Sequence, residues 1–268
     1  MTIREFDEHP EGVAELPEVR RIEIADLKTA LSNGLADFTA MPSHAIFLCL
    51  IYPIIGIALI RLALGADVLP LLFPLAAGFA LIGPFAALGL YELSRRRERG
   101  LSTDPRHVLA LRRSPALGSI LVLGAGLMVI FFVWLTVAQS LYEASFGYAP
   151  AATIPDFIGR LFSTAEGWRL IFVGNLIGFF FALAVLMISV VSFPLLLDQK
   201  TRLDIAVATS VRACLLNPVP MAAWGLIVAV LLVVGMIPLF FGLAVVLPIL
   251  GHATWHLYRR LIGPPPAG

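Results

Sequence analysis

Charge is scarce in this sequence. Only 14% of its 268 residues are charged, while 59% are hydrophobic, against about 25% and about 45–50% in an ordinary soluble domain. A soluble fold of this length leaves roughly a quarter of its unfolded surface in water, which a chain with a mean hydropathy of +0.91 cannot supply in polar form. Lipid is therefore expected to be the solvent for most of it. Neither sign of charge dominates: 19 Lys+Arg stand against 18 Asp+Glu, which excludes a basic nucleic-acid platform. Two cysteines, Cys49 and Cys214, cannot build a disulfide framework, and no paired Cys/His spacing suggests zinc. Nucleotide loops, nucleophile elbows and catalytic dyads are also missing; Ser43 beside His44 is adjacency only. The expectation is no enzyme, no metal and no cofactor.

What the sequence has is long apolar runs. A span needs about 20 mostly apolar residues to cross a hydrocarbon core of about 30 Å. Six stretches qualify: His44 to Leu64, Val68 to Tyr91, Ala116 to Gln139, Trp168 to Pro194, Val219 to Met236 and Pro238 to Tyr258. Pro53, Pro74, Pro84 and Pro248 fall within them and predict kinks rather than breaks, because neighbouring groups in a bundle can satisfy the freed carbonyls. Residues 1–21 read as a disordered acidic tail, with six acids against Arg4 alone in residues 1–19 and none of the features of a signal peptide. Sixteen of the Lys and Arg residues fall on the side of the two termini and three (Arg61, Arg160, Arg169) on the other. By the positive-inside rule both termini are cytoplasmic, so a structural disulfide is not expected.

Segments before spans resemble helices lying along the membrane surface. Ile24, Leu27, Leu31, Leu35 and Phe38 make one stripe and Leu203, Val207, Val211 and Cys214 another; Asp104-Pro105 starts a third, basic stretch ending at Arg112 and Arg113. Ile154, Phe157, Ile158, Leu161 and Phe162 predict a short amphipathic helix on the outer surface. The ends of spans two and six repeat one another. Pro84 is followed by Tyr91, Glu92, Leu93, Arg95 and Arg96, and Pro248 at the same offsets by Trp255, His256, Leu257, Arg259 and Arg260. This pattern divides a six-span, all-α membrane domain (22–262) into parallel units of a surface helix plus two spans, 22–100, 101–200 and 201–262, before a Pro-rich tail at 263–268.

The polar residues near these spans are the candidate functional positions. His252 and His256 share a helical face at i, i+4, yet no Glu lies between them and no third ligand follows; His9, His44 and His107 stand elsewhere. Internal packing of His252 and a headgroup-level His256 are expected instead. Glu92 and His256 occupy equivalent repeat positions, so they would bridge if the units pack about a pseudo-axis; otherwise Glu92 is an interfacial carboxylate beside Arg95 and Arg96. Asn175, close to Gly174 and Gly178, predicts close helix packing and an interhelical hydrogen bond. Arg95, Arg96, Arg97, Arg259 and Arg260 form a cluster expected to meet anionic lipid on the cytoplasmic side.

Three blocks, GPFAALGLYELSRRRERG (83–100), VATSVRACLLNPVPMAAWGLIVAVLL (207–232) and LPILGHATWHLYRR (247–260), resemble domain-of-unknown-function family 2189, a group of bacterial membrane proteins, with a likeness over essentially residues 22–262. The resemblance implies a multi-span protein of a bacterial inner membrane and carries no activity or catalytic residues. Some members bear an oxidase-like label, which the shortage of intramembrane histidines opposes. Two functions stay open: a non-catalytic interaction, assembly or scaffolding component, with the bilayer and another membrane protein or a second copy as partners, and a channel or carrier for a small or apolar solute. The lack of mid-depth acids opposes ion-coupled transport.

Overall fold

The computed structural model describes residues 16–41, 74–75, 87–104, 106–107, 112, 114–147, 154–238 and 240–263. Within them the chain is helical: α1 (Ile24–Ala40), α2 (Leu88–Glu98), α3 (Leu117–Phe146), α4 (Ile154–Ser163), α5 (Ala165–Ser189), α6 (Ser192–Gln199), α7 (Leu203–Leu216), α8 (Pro218–Met236) and α9 (Leu243–Leu261). An antiparallel bridge joins Val19 to Ile262. Residues 1–15 of the expected acidic tail, most of the first two expected spans and most of the 105–113 stretch lie outside the described residues; residues 16–21, expected to be disordered, are described, and Val19 and Arg20 are tied to the end of α9.

Among the described residues three helices are long and apolar enough to cross a membrane: α3, the α5–α6 run over Ala165–Gln199, and α8. At 1.5 Å per residue the 30 residues of α3 reach about 45 Å, beyond the expected end at Gln139. Only about a third or less of each apolar window is buried (28%, 33% and 28%), so most of its surface is left to lipid. The inward stripe of α3 is Ile120, Leu123, Leu127, Phe131, Trp134, Ala138 and Tyr142, at helical steps. Val122, Val129 and Phe132 point away from it, as do Phe172, Phe179 and Phe180 on α5.

Two of the expected spans differ in detail. The fourth is divided at Val190–Val191, because Pro194 has no N–H to return to the carbonyl of Val190. Hydroxyls of α7 and α6 close the gap: the N–H of Val191 donates to Ser210 Oγ at 3.1 Å, and Ser192 Oγ donates to the Ala206 carbonyl at 3.1 Å. The sixth begins at Leu243 instead of Pro238, after a turn in which Phe240 takes a left-handed φ of 68°. With His252, His256, Arg259 and Arg260 in its last turns, α9 is less apolar than the other three.

The expected surface helices α1 and α7 form, and the buried face of each overlaps its apolar stripe but is shifted toward small residues. In α1 the buried residues are Leu27, Ala30, Gly34 and Asp37, while Ile24 and Leu35 are exposed. In α7 they are Ala206, Thr209, Ser210, Ala213 and Cys214, with Leu215 exposed. Helices meeting in lipid gain by close approach, which small residues allow, whereas large apolar side chains are equally at home in the surrounding hydrocarbon. Gly34 shows how close the approach is: a Cβ there would lie 2.6 Å from the backbone nitrogen of Ala253 on α9. The short helix α4 forms as its spacing predicts and turns onto α5 at Thr164, whose Oγ1 accepts from the N–H of Gly167 at 3.0 Å. A Cβ on Gly167 would sit 2.2 Å from the Leu161 carbonyl oxygen, so this corner requires glycine.

Candidate functional site: a buried carboxylate joining three helices

The small-residue face of α1 presents Asp37 to α2 and α9, and all three helices contribute to one hydrogen-bonded cluster. Ser94 Oγ of α2 donates to Asp37 Oδ2 at 2.5 Å, and the same oxygen faces His256 Nε2 of α9 at 2.9 Å. Arg97 of α2 pairs with Asp37 Oδ1. His252 Nδ1 lies 2.7 Å from Ser94 Oγ. A serine has one proton, and here the ionised Asp37 takes it; His252 Nδ1 must therefore donate, leaving Nε2 the bare nitrogen when the ring is neutral. That Nε2 is buried without a hydrogen-bond partner. Burial alone would push the Asp37 carboxyl up, but the hydrogen bonds from His256, Ser94 and Arg97 outweigh it and hold its pKa below the usual 3.8.

Three further junctions surround this cluster. Glu98 Oε2 accepts from Trp255 Nε1 and Oε1 from Arg259 Nε, both at 3.0 Å. Asp198 of α6 accepts from Tyr258 Oη at 3.0 Å and pairs with Arg99 at 2.7 Å. Asn217, between α7 and α8, accepts from the N–H of Ile22 at 2.8 Å and donates to the carbonyls of Arg20 and Ala213, both at 3.1 Å. The N–H of Arg20 in turn donates to the Leu261 carbonyl at 2.8 Å. The segment ahead of α1 is thus fastened to the start of α8 and the end of α9 together.

The histidines expected to share a face do so, and they converge on Asp37 and Ser94, residues the apolar stripe of α1 gave no reason to single out. Glu92 and His256 do not bridge one another. Glu92 is held on its own helix by Arg95, through bonds of 2.7 and 2.9 Å, and by Arg96 at 3.6 Å; His256 is committed to Asp37. Among the described residues Asn175 makes no interhelical hydrogen bond: its amide donates to the Ile171 carbonyl one turn back, at 2.8 Å, and the residue is exposed. Close packing is present nearby, where a Cβ on Gly178 would lie 3.1 Å from the ring of Trp134. The five clustered arginines all have acidic partners: Arg95 and Arg96 on Glu92, Arg97 on Asp37, Arg259 on Glu98 and Arg260 on Asp26. Among the described residues no group of three or more His, Cys, Asp or Glu is placed to hold a metal ion.

Helices long and apolar enough to cross a membrane, with large apolar side chains exposed along much of their length, define an integral membrane protein. In keeping with that, residues 72–198 match the model of a family described as "Predicted integral membrane protein (DUF2189)". The match takes in the 83–100 block and ends before the two later blocks. The chain matches no curated protein and no solved structure.

Proposed function

We propose that this protein is a non-catalytic interaction, assembly or scaffolding component of a bacterial inner membrane, with six spans and both termini cytoplasmic. The observation that carries the reading is where the ionisable groups are spent. Asp37, Glu98 and Asp198 each join different helices at one end of the bundle, and Asp37 is enclosed by its partners. A transport pathway or an active site keeps such groups facing a solute; here they hold a rigid block together. Ser94 is buried and its proton is directed at Asp37, so it is not disposed as a nucleophile. Support for α9 as a further crossing comes from its partnership with α8. The two helices have 19 residues each, and residues 20–22 hydrogen-bond to the start of one and the end of the other. The pair therefore leaves and returns to one level, the expected cytoplasmic face.

The test is reconstitution of the full chain in lipid vesicles with flux assays for ions and small polar solutes, beside crosslinking in native membranes from photoreactive groups at Arg96 and Arg260. Vesicles as tight as protein-free ones, together with one crosslinked membrane partner or a second copy in fixed proportion, support the proposal. Solute flux that depends on Asp37 refutes it.

A further inference from the structure

At the end of the bundle away from the Asp37 cluster, the last turns of α3, the first turns of α5 and the short helix α4 enclose a cavity of about 280 Å³. Its lining includes Trp134, Ala138, Tyr142, Phe157, Ile171 and Gly174. The lining is mostly carbon surface; its polar groups are the hydroxyl of Tyr142, the amide of Asn175, which donates to the Ile171 carbonyl at 2.8 Å, and the indole N–H of Trp134, which donates to the Pro74 carbonyl at 3.1 Å. Tyr142 is only 4% exposed, its ring is held against Phe146 and Phe157, and its Oη has no hydrogen-bond partner. A buried phenol normally finds one. Water alone is a poor filling for this volume, because each buried water needs two to four polar partners and the lining offers little beyond Tyr142 Oη and the Asn175 amide.

We propose that this cavity is a binding site for one hydrocarbon chain bearing a carbonyl oxygen, the acyl chain of a membrane lipid, with Tyr142 Oη donating to that oxygen. The volume is about twice the ~150 Å³ that takes a benzene ring, which suits a chain segment and not a folded polar solute. The location suits the same occupant. Trp168, Phe162 and Phe172 stack on the outside of this end in the manner of an aromatic belt at headgroup depth, so an acyl carbonyl enters at its natural level. Phe157 and Leu161 of α4 line the cavity, Phe162 stands at its rim, and Ile158 is exposed on the outer side. That helix is thus an apolar cover lying along the lipid surface. The site is independent of the scaffolding proposal, since it shares no residue with the Asp37 cluster.

The experiment uses the delipidated full-length protein in detergent, titrated with brominated dodecanoate, a brominated lauroyl phospholipid and brominated dodecane, reading quenching of tryptophan fluorescence. The variant Gly174→Leu adds a side chain at the lining, where nothing lies within 4 Å of a Cβ; Tyr142→Phe removes only the donor. Saturable quenching by an acyl probe is expected, lost in Gly174→Leu and weakened about five- to tenfold in Tyr142→Phe, the worth of one hydrogen bond. Dodecane binds no tighter than to Tyr142→Phe. Preference for the free acid or for the phospholipid decides the source of the chain. Equal quenching of wild type and Gly174→Leu, equal affinity for dodecane and acyl probes, or no saturable quenching by any probe overturns the site. If Gly174→Leu does not fold, the dodecane comparison on wild-type protein decides alone.

Discussion

Replacing Asp37 by Asn keeps the shape of the side chain and removes its charge, which tests whether the carboxylate is the keystone of the polar end. The carboxylate side chain is almost fully enclosed, whereas Arg97 is 41% and His256 18% exposed, so the arginine pairing is partly screened by water and counts for less than a buried ion pair. Breaking a fully buried pair costs ~3–5 kcal/mol; discounting the exposed arginine leaves about 3 kcal/mol for the bonds to Ser94 and His256 and the residual pairing to Arg97. For a chain of this size 1 kcal/mol moves the melting temperature by about 2–4 °C, so Asp37→Asn is expected to melt about 6–12 °C below its parent. Cys214 supplies the readout. It is buried in α7, and burial pushes its thiol up to about 12, so a thiol-reactive dye labels it only as the protein opens. The assay is run in a Cys49→Ser background. A shift under about 2 °C would show that the cluster contributes no net stability and refute the reasoning.

Other outcomes follow from the same geometry. Gly34→Ala is expected to destabilise by ~1–3 kcal/mol, as overpacking does, while Gly126→Ala, with nothing within 4 Å of its Cβ, is neutral or stabilising; melting of the two variants side by side checks this. Asn217→Ala removes three hydrogen bonds, a loss of about 2 kcal/mol, and should make the chain at Arg20 and Arg21 susceptible to trypsin, with cleavage unchanged if the clasp is unimportant. The folded Asp37 pKa is lowered, so its stabilising contribution is present above 3.8 and is lost only as pH falls through the lower folded value. Around it stand Arg97, His252 and His256 as the other titratable groups. Asp37→Asn should therefore remain less stable than wild type at pH 5, and converge with it only below the ordinary carboxylate range.

Much of this was readable in the sequence, and the division has a physical cause. Composition alone named lipid as the solvent, since no water-soluble fold hides so much hydrocarbon. Apolar run length fixed α3 and α8, and a 3.6-residue period fixed α4. The i, i+4 spacing put His252 and His256 on one face, as they are. The burial of α1 was not readable by the same logic. Its large apolar stripe is the usual sign of an inward face in water, but here only Leu27 of that stripe is fully buried, and Ala30, Gly34 and Asp37 turn inward beside it. Nor does any local pattern join Asp37 to Ser94 and His256, which lie 57 and 219 residues away. Only the crossing of α1, α2 and α9 brings them together. What a sequence encodes locally is set by spacing along one helix; which polar groups meet is set by how closely small residues let different helices approach.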